Sequence, residues 1–488
     1  SRRIGQKLNF NEKDYLLDNE ELLMYDKPKL INSVKVTGTT NTKLSVGIIN
    51  TITDNAYAYF KNNVTNLERK ELLAPTTNYN VLSLTQEIIN DVSSISVLNT
   101  NINRKNGLNG NNTALVADIF DNKRKYNIQS AIYGSYAPRF SEKNGFKGYI
   151  SAEELEGNFQ FFLHWTGVDK YYNQNELGYF ILHNSQRVGG RVSYRILKDN
   201  KLFRTLSSSL YVGRTFRFDD GERIRTGIRF ANMIQLQNLS GIGFVLRYTD
   251  REKDYYETRN NDRFIINPSE LDVLISYSTN NNKKVYSKIE FSNITSFNEQ
   301  FNEKKIYNRY EFDLNFRFSD QISAKISSEV KNTQEDIGYI MEENEEIYFG
   351  NRDLESVENS IKIEYKIDSK RSIFLDFRNF WSKADYRQVL YKLNRDGYRE
   401  LTDYSILNEN PNTNFNLWNL DLNFEWWFAP GSNLVFLYRN QIFNRDNKSG
   451  LDYYKSLKNL FDIPIEHQLS LRLNYLIDVN RFKRKWLS

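Results

Sequence analysis

The sequence predicts an all-β protein: a transmembrane up-and-down antiparallel β-barrel of about 22 strands, within a range of roughly 18 to 24. Three observations predict this fold. Apolar and polar residues alternate along most segments of the chain, which is the period of a strand with two different faces. The alternating segments have about ten residues, the length of a tilted strand that crosses a bilayer. Short and long connections also alternate, as periplasmic turns and external loops do in outer-membrane barrels.

The hairpin at residues 417–443 shows the alternation most clearly. The apolar face of its first strand consists of Trp418, Leu420, Leu422, Phe424, Trp426 and Phe428. The polar face consists of Asn419, Asp421, Asn423 and Glu425. Residues 429–432, with the sequence APGS, have turn chemistry. Three large aromatic residues precede this turn, and we predict that they lie at the membrane interface: Trp426, Trp427 and Phe428.

The same alternation of connections continues along the chain. The predicted long connections are residues 54–78, 101–112, 136–145, 166–185, 249–270, 297–305, 332–356, 383–414 and 444–466. The predicted short turns are residues 38–41, 89–93, 121–124, 154–157, 197–201, 237–241, 279–283, 319–320, 368–371 and 429–432. The compact connection at residues 219–222 departs from the pattern, because a long one is due there.

The domain prediction is a single barrel over residues 30–488. Residues 1–29 are predicted to be an N-terminal strand piece and a polar loop that lead into the barrel and form part of it. The alternating segments give about 21 strands, and residues 1–9 supply one more, since bacterial barrels have an even strand number. A soluble β-sandwich or propeller is the alternative, but its strands are shorter, about five or six residues.

Composition excludes several classes of protein. No window approaches about 18 apolar residues, so transmembrane helices are excluded. The chain has no Cys, which rules out disulfides and thiolate metal sites. A net charge of +5 among 66 basic and 61 acidic residues is too balanced to indicate nucleic acid. Hydrophobic residues are 39% of the chain and mean hydropathy is -0.65, values that a two-faced membrane strand pattern permits.

No signal peptide is recognisable at the start of the sequence. Because an outer-membrane protein needs one, we interpret the sequence as the C-terminal part of a longer precursor. A complete cytosolic protein is the alternative interpretation.

Several short motifs resemble a known family. They are SRRIG at residues 1–5, LSVGIIN at 44–50, YNQNELGYF at 172–180 and WWFAPGSNLVF at 426–436. Together they resemble a Gram-negative outer-membrane β-barrel family of unknown function, and the resemblance spans essentially the whole chain. Members of that family usually carry an upstream module similar to family-nine carbohydrate-binding modules. The resemblance therefore implies a membrane barrel linked to carbohydrate binding, and it transfers no catalytic residues.

Residues capable of catalysis or metal binding are sparse. The three histidines, His164, His183 and His467, match no metal-ligand spacing. No nucleophile elbow or phosphate-binding glycine loop occurs. The acidic run at residues 342–346 is predicted to be a solvated loop, with a divalent-cation site as the alternative. Tyrosine pairs at 171–172, 255–256 and 453–454 are predicted to pack within loops, with stacking on sugar rings as the alternative. We predict no enzyme activity, no metal and no cofactor.

The polar face of residues 186–248 is rich in arginine. A basic lumen sector is predicted from Arg187, Arg191, Arg195, Arg217, Arg223, Arg225, Arg229 and Arg247. Acidic residues occur farther along the chain. The arginines therefore have two alternative roles: they bias which solutes enter the lumen, or they pair with carboxylates of neighbouring strands. The predicted function is an outer-membrane channel or uptake protein for a polar solute such as an oligosaccharide. The alternative is a non-transporting scaffold that joins partner proteins in an envelope complex. The protein is predicted to lie in outer-membrane lipid and not to bind nucleic acid.

Overall fold

The computed structural model describes residue 11 and residues 14–176, 183–260, 262–298, 300–301, 303–402 and 410–476. These residues are nearly all β and form 27 strands and one helix. Most strands belong to one large antiparallel sheet of about 22 members. The predicted all-β class, the antiparallel strand order and the strand number are thus confirmed. The predicted strand at residues 1–9 lies outside the described residues.

The chain divides into two compact units, of which the first comprises Ser1–Ser193 and Tyr211–Arg225. Its strands are β1 (Glu20–Tyr25), β2 (Leu30–Thr39), β3 (Leu44–Thr53), β4 (Ala56–Asn62), β5 (Glu68–Ala74), β6 (Thr77–Glu87), β7 (Ser94–Arg104), β8 (Gly110–Phe120), β9 (Tyr126–Tyr136), β10 (Gly145–Glu154) and β11 (Phe159–Val168). Strands β2, β3 and β6 to β11 pair antiparallel in chain order. Strands β1, β4 and β5 form a separate three-stranded sheet.

Three strands contribute residues to both units: β12 (Ser185–Ile196), β13 (Phe203–Phe216) and β14 (Arg223–Leu236). The second unit comprises Tyr194–Leu210 and Thr226–Ser488. Its further elements are β15 (Gly241–Thr249), β16 (Glu252–Asp254), β17 (Ile265–Asn267), β18 (Glu270–Ser278), β19 (Val285–Asn298), β20 (Glu303–Arg317), β21 (Ile322–Glu343), β22 (Glu346–Lys366), β23 (Arg371–Leu393), β24 (Arg399–Thr402), β25 (Thr413–Ala429), β26 (Ser432–Asp446), α1 (Tyr453–Leu460) and β27 (Glu466–Asn474). Strands β14, β15, β18 to β23 and β25 to β27 pair antiparallel in that order.

The register of β23, β25, β26 and β27 separates an apolar face from a polar face. One row across these four strands consists of Leu375, Leu422, Tyr438 and Leu469. The adjacent row, on the opposite face, consists of Asp376, Asp421, Arg439 and Gln468. Arg439 and Asp421 form an ion pair at 2.5 Å. The predicted two-faced hairpin is therefore confirmed. Its turn is closed by Gly431, whose φ of +71° favours a residue without a Cβ.

Several predicted long loops are wrong, because the chain continues as strand. Strands β21 and β22, with 22 and 21 residues, occupy most of the predicted loop 332–356. Strand β23 has 23 residues and extends to Leu393, inside the predicted loop 383–414. The predicted loops 54–78 and 249–270 contain β4, β5, β16 and β17. Strands β21, β22 and β23 are thus about twice as long as the roughly ten residues expected for a strand that crosses a bilayer.

The acidic run at residues 342–346 is not a long loop. It is the tip of the hairpin that joins β21 to β22. Asn344 and Glu345 have φ values of 50° and 66°, and positive φ at both central residues is the geometry of a type I′ turn. The carboxylates therefore flank a tight turn.

Helix α1 covers one end of the apolar face in the second unit, where Trp381 lies. Asp452 caps it by accepting a hydrogen bond from the Lys455 amide, and this bond lowers the pKa of the Asp452 carboxyl. The Tyr453 hydroxyl donates to Asn379 at 2.8 Å, and its ring packs on Trp381. Tyr453 thus packs within the protein, as does Tyr172, which is 2% exposed. The described residues include no helix long and apolar enough to cross a bilayer.

The absence of cysteine from the sequence makes the topology directly testable by single-cysteine labelling. Arg395 lies in the connection between β23 and β24, and Ser369 lies in the turn between β22 and β23; both are exposed. We expect R395C to react with a membrane-impermeant maleimide on intact cells, because Arg395 belongs to the long connection from β23 to its sheet neighbour β25, and long connections face outward in outer-membrane barrels. We expect S369C to react only after the outer membrane is permeabilised. The reverse pattern would invert the assigned topology.

Candidate functional site

The arginines of the predicted basic sector are distributed over both units. Arg187, Arg191, Arg217, Arg223 and Arg225 belong to the first unit, and Arg195, Arg229 and Arg247 to the second. In the first unit, Arg187 Nε donates to Thr215 Oγ1 at 3.2 Å. The Arg191 guanidinium lies 5.3 Å from the centre of the Phe162 ring, and Arg217 pairs with Asp219 and Asp220 at 3.3 and 3.1 Å.

In the second unit, the register brings two of these arginines directly opposite each other. Arg229 on β14 faces Arg247 on β15. Like charges in this position repel each other. Arg247 is compensated by Asp272, the residue opposite it on β18, at 2.9 Å. Arg229 has no ion-pair partner among the described residues, so no carboxylate of this group neutralises its charge.

A row of four glutamates, which was not predicted as a group, lies farther along the same sheet. Consecutive strands β19 to β22 place Glu290, Glu311, Glu329 and Glu358 opposite one another. Sequence alternation gives the face of each residue but not the register that aligns them. The alignment is therefore a feature that only the structure reveals.

Arg309 is the cation that holds most of this row together. Its guanidinium lies 2.7 Å from Glu290 and 2.5 Å from Glu329 and also contacts Glu311. Lys288 pairs with Glu290 at 3.0 Å, and Arg378 pairs with Glu358 at 2.8 Å. These contacts support the alternative in which charged residues of this face pair across neighbouring strands.

The histidines do not converge on a common site. His164 Nε2 lies 3.0 Å from the Tyr211 hydroxyl in the first unit. His467 Nδ1 lies 2.9 Å from the Tyr438 hydroxyl in the second unit. Among the residues that the structure describes, no group of three or more acidic or histidine side chains is placed to hold a metal ion.

The aromatic residues before the turn at residues 429–432 form a cluster. Trp426 and Trp427 are 42% and 43% exposed. Trp426 packs edge-on against Phe428 at 5.8 Å, and Phe428 stacks on Tyr475 at 6.4 Å. Their position at the membrane interface stays a prediction.

Comparison with protein-family models identifies a match over residues 1–486, to the domain of unknown function DUF5916. The chain belongs to this family. Comparison with curated proteins gives no match. Among solved structures, the protein is similar to an anion-selective porin from Comamonas acidovorans, with 11% sequence identity and a TM-score of 0.30. The matched region covers 59% of this chain and 89% of the porin.

Proposed function

We propose that this chain is an integral outer-membrane β-barrel whose polar face lines a lumen for a polar solute. The observation that carries the proposal is a broad, solvent-exposed apolar face, which helix α1 covers only at the end near Trp381. One row across five strands of the second unit consists of Ile275, Phe291, Tyr310, Val330 and Val357. Ile275, Tyr310 and Val330 are 50%, 54% and 41% exposed.

The adjacent row on the opposite face contains the four glutamates and their cations. A soluble sheet buries its apolar face against another layer. A membrane strand does the reverse, with apolar side chains toward lipid and polar side chains toward the lumen. The exposed apolar row beside an ion-paired polar row therefore supports insertion in a bilayer.

The connection between β15 and β18 folds over the polar face of the second unit. Glu257 accepts a hydrogen bond from the Tyr339 amide at 3.1 Å. Arg263 donates to the Leu393 carbonyl at 2.7 Å. Ile265 packs in a buried cluster with Ile347, Phe349 and Leu393. In the proposed channel, this segment narrows the outer mouth and sets an upper limit on the size of the polar solutes that pass.

An oligosaccharide is the solute that the family resemblance favours, through its carbohydrate-binding modules. The test is conductance of the purified protein in planar bilayers, combined with swelling of proteoliposomes in oligosaccharides of increasing size. We expect open-channel conductance and a size limit for the sugars. Absence of both conductance and swelling in correctly folded protein would exclude the channel.

A scaffold in a larger envelope complex is the second candidate. The extensions of β21, β22 and β23 favour it, because they continue well beyond the roughly ten residues needed to cross a bilayer and carry a buried hydrophobic cluster. Such a rigid extramembrane layer can hold a partner protein. A protein that never conducts and co-purifies with fixed partners in mild detergent supports the scaffold.

The arginines give the channel a testable ion selectivity. We expect replacement of Arg191, Arg225 and Arg229 together by Gln to shift the reversal potential toward cations, since lumen charges tune selectivity. The measurement is the reversal potential in a salt gradient across a planar bilayer. An open channel with an unchanged reversal potential excludes these arginines as a filter. Loss of folding instead supports a pairing role.

A further inference from the structure

A cavity of about 170 Å³ lies on the polar face of the second unit, beside the start of β18, the end of β19, the start of β20 and residues 335–337 of β21. Strand β17 and the turn regions beside it form its other wall. Its charged lining residues are Asp254, Glu257, Glu270, Glu303, Lys305, Glu335, Asp336, Arg352 and Arg399. The six carboxylates outnumber the three basic side chains, so the cavity favours a positively charged occupant.

One group of the lining carboxylates has matched charges. Glu303 pairs with Arg399 at 3.1 Å and accepts hydrogen bonds from Tyr391 and Asn351 at 2.8 and 2.7 Å. Burial, together with the Glu303 carboxylate, raises the pKa of Tyr391 to about 12, so its phenol remains a donor at neutral pH. Glu335 pairs with Arg387 at 2.5 Å. These two ion pairs leave no excess charge within this group.

The other lining residues include more carboxylates than cations. They are Asp254, Glu257, Glu270 and Asp336, with Lys305 and Arg352 as the cations among the described lining residues of this group. Lys305 lies 3.5 Å from Glu270 and 3.2 Å from Asp336. Arg352 lies 2.8 Å from Asp336 and 3.8 Å from Glu257. Four carboxylates and two cations leave an excess of two negative charges, and a further cation would reduce the repulsion between these partly buried carboxylates.

Ser296 provides an independent indication of a ligand. It lies between Glu270 and Lys305 in the strand register and lines the cavity. Its side chain belongs to a residue only 4% exposed, and its Oγ has no hydrogen-bond partner among the described residues. Buried hydroxyls are nearly always satisfied. A ligand that donates a hydrogen bond to Ser296 Oγ supplies the hydrogen-bond partner that this hydroxyl lacks.

The rest of the lining selects the type of cation. Ile265, Pro268 and Ile337 add apolar surface to the same cavity. A metal ion gains nothing from such surface, and no three acidic side chains of the described residues are placed to hold one. A methylene chain packs on apolar surface, and its ammonium groups pair with carboxylates. We propose that this cavity binds a small aliphatic diamine, whose two ammonium groups balance the excess of two carboxylates.

Binding is tested on the purified full chain in detergent, by isothermal titration calorimetry with 1,5-diaminopentane. The neutral analogue is 1,5-pentanediol, and CaCl₂ tests for a metal ion. We expect the diamine to bind and the diol not to bind. The measurement requires no conductance, so it is independent of the proposed channel function.

Variants locate the binding to the cavity. We expect E257Q and E270Q each to weaken diamine binding about tenfold, because each removes a charge-assisted hydrogen bond. E355Q is the matched control, since Glu355 pairs with Lys383 at 3.2 Å and does not line the cavity. We expect E355Q to bind as the unaltered protein does.

S296A keeps every charge and removes only the unpartnered hydroxyl, so it tests the same cavity if a Gln variant fails to fold. We expect a loss of affinity of roughly threefold to tenfold. Equal binding of diamine and diol, binding of Ca²⁺ alone, or an equal loss in E355Q would each overturn the proposal. No diamine binding by the folded, unaltered protein would overturn it as well.

Discussion

Leu422→Arg is expected to reduce the free energy of unfolding by about 2–4 kcal/mol, the cost of an arginine on the lipid face near the bilayer midplane. Leu422 is 37% exposed and lies in the row with Leu375 and Tyr438. The measurement is urea-induced unfolding of protein refolded into lipid vesicles, followed by tryptophan fluorescence.

The matched control is the neighbouring residue, Asn423, whose side chain points to the opposite face because strand side chains alternate. We expect Asn423→Arg to change the free energy of unfolding by less than about 1 kcal/mol, since an arginine there reaches water. Equal losses in the two variants would show that the faces of β25 are wrongly assigned.

The faces of individual strands could be predicted because they depend only on local alternation. The hairpin that contains Leu422 illustrates this. Its period-two alternation predicted which residues share a face, which two strands pair and where the turn lies. The extension of β21 and β22 could not be predicted in the same way. Their pairing has irregularities between Thr333 and Asp336 and between Tyr339 and Met341, and each irregularity breaks the alternation that identifies a strand.

The charged sites depend on long-range register, which alternation does not contain. The glutamate row joins residues from 290 to 358, and the cavity joins residues from 254 to 399. The predicted arginines came from one continuous stretch, and the structure divides them between two units. The local alternation therefore predicted which charged residues lie on the polar face. It could not predict their ion-pair partners, because these depend on the register between distant strands.

Arg309→Gln is expected to have the second large effect, because it removes the cation shared by Glu290, Glu311 and Glu329. The Arg309 side chain is 26% exposed and the three glutamates are less exposed than that, so solvent screens their repulsion only in part. We expect a loss of about 2–3 kcal/mol in the free energy of unfolding, measured in the same vesicle assay.

Arg378→Gln is the matched control for Arg309. Among the described residues, Arg378 forms an ion pair with Glu358 alone. Both side chains are more exposed, at 46% and 33%, so we expect a loss below about 1 kcal/mol. Adding Glu311→Gln to the Arg309 variant should recover part of the lost stability, because it relieves repulsion within the glutamate row. The same change in the unaltered protein should not stabilise it, since Arg309 then loses a partner. Equal losses for Arg309→Gln and Arg378→Gln, or no recovery in the double variant, would contradict a shared cation. Recovery would show that ion pairs between neighbouring strands stabilise the polar face.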